Sequence, residues 1–183
     1  MRLGIAHHLG WAVAVTASAD GRVVDRRRLD LIEPGLPVAP HEHEIQGLDD
    51  RAAQALVATV RAAAVRATSA SLAALVAALP GPIGSMALRY WSPDFPDDVA
   101  TLRRPPHQAV ADSVLYRQVL ADVAHGHGWA VHLYDARTVE AQAARALGAR
   151  AHDVLHGPRA RPGPPWTKDH RIALAAALLA NGD

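Results

Sequence analysis

Three stretches of the chain group side chains able to do chemistry. His7 and His8 follow the apolar run Leu3 to Ala6. Adjacent imidazoles at the carboxyl end of a strand lie where open α/β sheets place their crevices. With Asp169 as a third ligand they would suit a softer divalent metal; the plainer alternative is that two polar residues fill a turn. His41-Glu42-His43-Glu44 offers nitrogen and oxygen ligands in a proline-bounded segment. An extended backbone would put His41 and His43 on one face, as a zinc-type site needs, and the two glutamates on the other. The spacing is not the helical His-Glu-x-x-His of metalloproteases, and alternating His and Glu is also ordinary surface sequence. Trp166-Thr167-Lys168-Asp169-His170 enters a helix after Pro162-Gly163-Pro164-Pro165. Free backbone N–H groups at a helix start attract anions. Lys168 and His170 would contact phosphate there, and Trp166 would stack on a base or sugar. Asp169 alternatively serves only the helix dipole.

Other charged groups read more simply. Asp135 follows a strand and suits the cap of the next helix, with a second carboxylate for the crevice as the alternative. Arg103-Arg104 and Tyr116-Arg117 fit solvated surfaces or a grip on a polyanion. Trp91 and Phe95 fit a partner anchor or a plug under their loop. Gly4, Gly10 and Gly21 are spaced wrongly for a phosphate-binding loop, and no Gly-x-Ser-x-Gly elbow occurs. The absence of cysteine excludes disulfides and thiolate zinc sites.

The elements that position these residues follow from pattern. Residues 2–6, 11–16 and 22–32 read as strands, with Asp20-Gly21 as the turn between the last two. The Arg26-Arg27-Arg28 run would blunt an exposed sheet edge. Asp49 and Asp50 open a helix running to about Leu79, with Leu72, Leu75, Val76 and Leu79 at helical spacing and room for a break near Thr68-Ser69. Residues 83–90 read as a central strand, 109–123 as a helix, 129–134 as a strand and 138–147 as a helix. Thr167 caps a last helix to about Ala180. Residues 33–50, 91–108 and 148–166 read as loops. Three meandering strands followed by strand–helix crossovers predict a mixed five-stranded sheet with helices on both faces.

Composition adds bounds. A chain of 183 residues suits one domain over 1–183. No run of side chains reads as long and apolar enough to span a bilayer, and no basic-then-apolar leader is apparent. The expectation is a cytoplasmic protein without a membrane partner. The abundant Ala and Arg fit codon bias, which makes Lys168, the only lysine, more notable. The segment Arg137–Arg171 has seven Lys/Arg against three Asp/Glu, whereas the rest has twelve against fifteen. A locally basic face suits a polyanion, or is a solvated surface.

The order of elements and three local motifs resemble the RuvC branch of the ribonuclease H-like superfamily. The opening Leu3-Gly4-Ile5-Ala6-His7-His8-Leu9-Gly10-Trp11-Ala12-Val13 is similar to that branch's first strand, turn and second strand. Val131 to Glu140 looks like its fifth strand entering a helix, and Lys168 to Ala177 like its closing helix. The resemblance implies a ribonuclease H-like fold, nucleic acid as partner, a homodimer, and carboxylates that hold divalent metal (Mg²⁺ or Mn²⁺, with Zn²⁺ for an altered set). This sequence departs from that pattern. Ala6 stands where the first strand should supply Asp, and Leu88 or Arg89 where the fourth should supply Glu. Asp169 alone remains, and one carboxylate cannot hold two hard cations.

The favoured reading is therefore a catalytically degenerate domain that binds nucleic acid or protein. One alternative is a metal-dependent nuclease whose altered site uses His7, His8 and Asp169 as catalytic residues. Another is a pocket for a small molecule or protein partner, unrelated to nucleic acid.

Overall fold

The computed structural model describes residues 1–159 and 165–180. Strands β1 (Arg2–His7), β2 (Trp11–Ala17) and β3 (Val23–Asp30) form an antiparallel meander. Gly10, at φ 76°, makes the turn out of β1, where an L side chain would be strained. Helix α1 (Asp50–Ala78) follows, capped by Asp49, whose carboxylate accepts from the Ala52 N–H at 2.8 Å. Strand β4 (Ser85–Arg89), short α2 (Val99–Leu102), α3 (Gln108–Gly126), β5 (Ala130–Tyr134), α4 (Val139–Leu147), α5 (Ala151–His156) and α6 (Lys168–Leu179) complete the order. The sheet runs β3-β2-β1-β4-β5, with β4 parallel to both β1 and β5. The expected mixed five-stranded sheet with helices on both faces is what forms.

The two faces pack differently. On one, Leu3, Ile5, Met86 and Leu88 meet Leu72 and Leu75 of α1 and Leu115, Tyr116, Val119 and Leu120 of α3. On the other, Ala6, Val13, Val15 and Ala87 meet α6, whose Ala173, Ala175, Ala176 and Ala177 are all buried. The small residues let backbones touch. A Cβ built on Gly4 would lie 1.8 Å from the Ala173 carbonyl oxygen, so only glycine fits β1 at that crossing.

Four expectations need correction. Helix α1 does not break at Thr68-Ser69, because Thr68 is buried within one continuous buried stripe. Residues 148–159 are not loop: a 3₁₀ turn (Gly148–Arg150), α5 and a second turn (Gly157–Arg159) occupy them, and Leu155 anchors them in the second core. The 33–50 segment contains a π-helical turn at Pro40–Glu44, and the 91–108 segment contains α2. Finally, α1 is by length and composition long and apolar enough to cross a bilayer. Its alanines produce that property. Its buried face packs on α3, and its Arg61 and Arg66 pair with Asp122 and Glu33 at 2.7 Å, as in a core helix.

Candidate functional site

The carboxyl end of β1 comes up beside the start of α6, where His8 meets Asp169. Side chains alternate across a strand, and this decides what reaches it. Gly4, Ala6 and then His8 face α6, whereas Leu3, Ile5 and His7 face α3. His8 Nε2 lies 3.1 Å from Asp169 Oδ2, with both side chains partly exposed. The His8 ring stacks on Trp11 at 4.1 Å, and the Arg28 guanidinium sits 4.2 Å from the Trp11 ring centre. A line of contacts thus runs from the edge strand β3 to α6.

His7 takes no part in that line. Its Nε2 accepts a hydrogen bond from Arg117 Nε at 3.0 Å and lies 3.4 Å from Ser113 Oγ. Arg117 also donates to the Tyr90 carbonyl at 2.8 Å and to Ser113 Oγ. This buried guanidinium clamps the ends of β1 and β4 onto α3. The expected three-residue site of His7, His8 and Asp169 is therefore not assembled: neighbours in a strand point to opposite faces. Burial, then the charges of Arg117 and Arg89, lower the His7 pKa to about 3. Burial also lowers the Arg117 pKa to about 10, helped by Arg89.

Register identifies the group beside Ala6. Leu3 pairs with Met86 and Gly4 with Ala87. Continuing that ladder puts Arg89 beside Ala6, on the face of α6, while Leu88 is sunk in the other core. Arg89 is exposed and pairs in register with Tyr134. The Tyr134 hydroxyl donates to the Ile5 carbonyl at 2.7 Å, and burial raises its pKa.

The start of α6 behaves only partly as expected. Lys168 is exposed. His170 is buried and closes a reciprocal cap: its Nδ1 accepts from the Thr167 N–H at 3.2 Å and lies 2.8 Å from Thr167 Oγ1. Burial and Arg26 lower its pKa, against an opposing push from Asp169. Trp166 is buried too, its Nε1 donating to the Leu155 carbonyl at 2.8 Å. Both are committed to packing, which corrects their reading as open phosphate and base contacts. Pro162, Gly163 and Pro164 lie outside the described residues.

The two other candidates separate likewise. In the π-helical turn His41 points inward and is buried, whereas His43 is exposed beside Glu42, so the shared face expected of them does not form. Asp135 Oδ1 accepts from the Arg137 N–H at 2.8 Å, and its carbonyl accepts from Thr138 and Val139. It ties the turn before α4. Sequence reasoning read Arg117 as a wetted surface charge or as part of a grip on a polyanion, in either case on the outside of its helix. A run of helical periodicity that counts Arg as polar gives no sign that it is buried.

No family model and no curated protein matches the sequence. Among solved structures, the chain is similar to T. thermophilus RuvC in complex with Holliday junction substrate. Identity is 14%, the TM-score is 0.50, and the match covers 96% of this chain and 88% of that one. That likeness concerns the fold, which is a ribonuclease H-like mixed α/β sheet. The metals the fold implies do not fit these residues. Ala6 supplies no ligand, Arg89 brings a positive charge, and Asp169 is already engaged by His8. Among the described residues no three His, Cys, Asp or Glu side chains gather to hold an ion.

Proposed function

We propose that this chain is a nucleic-acid-binding domain of the ribonuclease H-like fold that does not use paired-metal hydrolysis. One observation carries the reading: the β1–β4 register, in which Gly4 pairs with Ala87, when continued by two residues sets Arg89 beside Ala6 on the face that α6 covers. A guanidinium there repels divalent cations and attracts phosphate. Lys168 at the start of α6 supports the same charge preference, with the helix N-terminus behind it.

The grip is mainly electrostatic. Trp11 already packs against His8 and Arg28, so it is not the surface on which a base stacks. Tyr90 is 55% exposed, and Arg117 fixes its backbone directly after Arg89. It is the aromatic surface available to a base next to the phosphate that Arg89 holds.

The test is fluorescence anisotropy with labelled single strands, duplexes and four-way junctions across a salt series, beside a cleavage assay with Mn²⁺. Binding should weaken steeply with salt, and Arg89→Ala and Lys168→Ala should each reduce the log–log slope by about one. Tyr90→Ala should weaken single-strand binding by ~1–3 kcal/mol. Mn²⁺-dependent cutting that disappears in Asp169→Ala would overturn the reading in favour of a nuclease built on His8 and Asp169. Two copies, which the resemblance implies, would double the mass measured in solution.

A further inference from the structure

The sheet ends in two edges of opposite character. At one, β3 carries Asp25, Arg26, Arg27, Arg28 and Asp30, and a charged edge strand resists pairing with another chain. At the other, β5 reads Ala-Val-His-Leu-Tyr, without Asp, Glu, Lys or Arg. Two bonds at its ends fix which of its backbone groups face β4. The Ala130 N–H donates to the Gly84 carbonyl at 3.0 Å, and the Tyr134 carbonyl accepts from the Tyr90 N–H at 2.8 Å. In a parallel ladder alternate residues bond the neighbouring strand, so Ala130, His132 and Tyr134 are turned to β4. The N–H and C=O groups of Val131 and Leu133 are turned outward, and among the described residues they have no hydrogen-bond partner. The flanking residues limit this free edge. The Trp129 N–H donates to the Ala124 carbonyl at 3.0 Å, and the Asp135 carbonyl accepts from Thr138 at 3.1 Å and Val139 at 2.9 Å.

We propose that β5 is the edge by which two copies of this chain pair, antiparallel about a two-fold axis, so that their sheets become one. Self-complementarity selects a second copy as the occupant. With Val131 of one copy opposite Leu133 of the other, each residue exchanges both of its bonds with its opposite number. Every outward N–H and C=O of Val131 and Leu133 is then satisfied in both copies. A register one pair to either side fails, because it sets Leu133 opposite Trp129 or Val131 opposite Asp135, whose N–H or C=O is already engaged. The side chains agree with this register. Val131 packs toward α3, and Leu133, two residues on, shares its face and is 43% exposed. Pairing sets each Leu133 beside the Val131 of the other copy, an apolar contact across the seam. The same operation at β3 would bring two Arg26–Arg28 runs together. A seam of two five-residue strands is small beside a permanent interface, so the pair forms reversibly as concentration rises. It needs no nucleic acid and does not depend on the roles of Arg89 and Lys168.

The test is sedimentation equilibrium on the full chain without nucleic acid, from low to high micromolar concentration, beside amide hydrogen exchange by NMR at both ends of that range. The mass should rise from one copy to two. Exchange at the Val131 and Leu133 amides should slow at least about tenfold with concentration. The His132 amide, turned to β4, should exchange slowly throughout. Leu133→Lys puts a charge on the seam at an exposed position, and should leave a single copy whose melting transition stays cooperative. Leu133→Val should still pair. The exchange pattern is read on the unsubstituted chain and stands without the variants. A single copy at every concentration would leave this edge to some other strand and overturn the proposal. So would a dimer in which Val131 and Leu133 exchange as fast as in the single copy, which assigns the contact to another face. A dimer that survives Leu133→Lys, or a mass that grows past two copies, would overturn it as well.

Discussion

The two faces of the sheet solve packing in opposite ways. Against α6 the contact is backbone to backbone, through Gly4 and a row of alanines. Against α1 and α3 it runs through large side chains, with Tyr116, Leu120 and Met86 fully buried. The same division sorts the polar groups. The small-residue face ends in His8, Asp169 and Arg89 within reach of solvent, whereas the large-residue face encloses Arg117, His7, His41 and Asp112. The lesson is that alternation along one strand separates a surface that can meet a polyanion from an interior that holds its charges for packing.

Substitutions of opposite size should break this comparison most visibly. Gly4→Ala adds one methyl where no space exists, so α6 must lift from β1. We expect a loss of ~3 kcal/mol or more, read by chemical denaturation. On the other face Leu120→Ala should cost ~2–5 kcal/mol by leaving a cavity. One added carbon would thus match three removed ones. Tolerance of Gly4→Ala would show that the two faces are not packed on different principles.

Acid sharpens the contrast next. Burial and the Arg117 charge hold the His7 pKa at about 3 in the folded chain, against an ordinary 6.5. Between those values the unfolded chain binds a proton that the folded chain does not. Stability is therefore complete above about pH 6.5 and falls as pH drops, by up to ~1.4 kcal/mol per unit. His170, lowered in the same direction, adds to the fall. His7→Gln should flatten the slope in urea titrations across that window, and an unchanged slope would remove His7 from the account. Arg117→Met should cost ~1–3 kcal/mol by taking the donor from the Tyr90 carbonyl and leaving His7 Nε2 only its longer contact with Ser113 Oγ. The smallest effect is Tyr116→Phe, which deletes the bond to the Val38 carbonyl at 3.1 Å for about 1 kcal/mol. Thermal melts at matched pH would rank the last two.

Strand order and helix placement were legible because periodicity is local: Leu72 and Leu75 mark the buried stripe of α1, and Asp20-Gly21 marks the turn into β3. That Ala6 stands where a carboxylate is expected followed only from the resemblance of the opening strand to the RuvC branch. What sequence could not supply was which side of an element a polar residue takes when both sides are covered. His7 and His8 read as a pair, yet one residue's step along β1 sends them to different helices. His41 and His43 part because five residues coil into a π-helical turn where an extended run was expected. Arg117 and Asp112 are charges in the middle of a helix whose burial depends on partners 110 and 71 positions away. Trp166 and His170 likewise turn inward because Leu155 and Thr167 offer them hydrogen-bond partners.

The meeting of Gly4 with Ala173 also sets a timetable. The strand at the centre of the sheet is made well before the helix that covers its small-residue face. During synthesis Ala6, Val13 and Val15 have no cover on that face until α6 emerges. Closing so long a loop is slow compared with local helix formation. The growing chain therefore carries an open apolar face until α6 emerges, and that face closes only when this one helix docks.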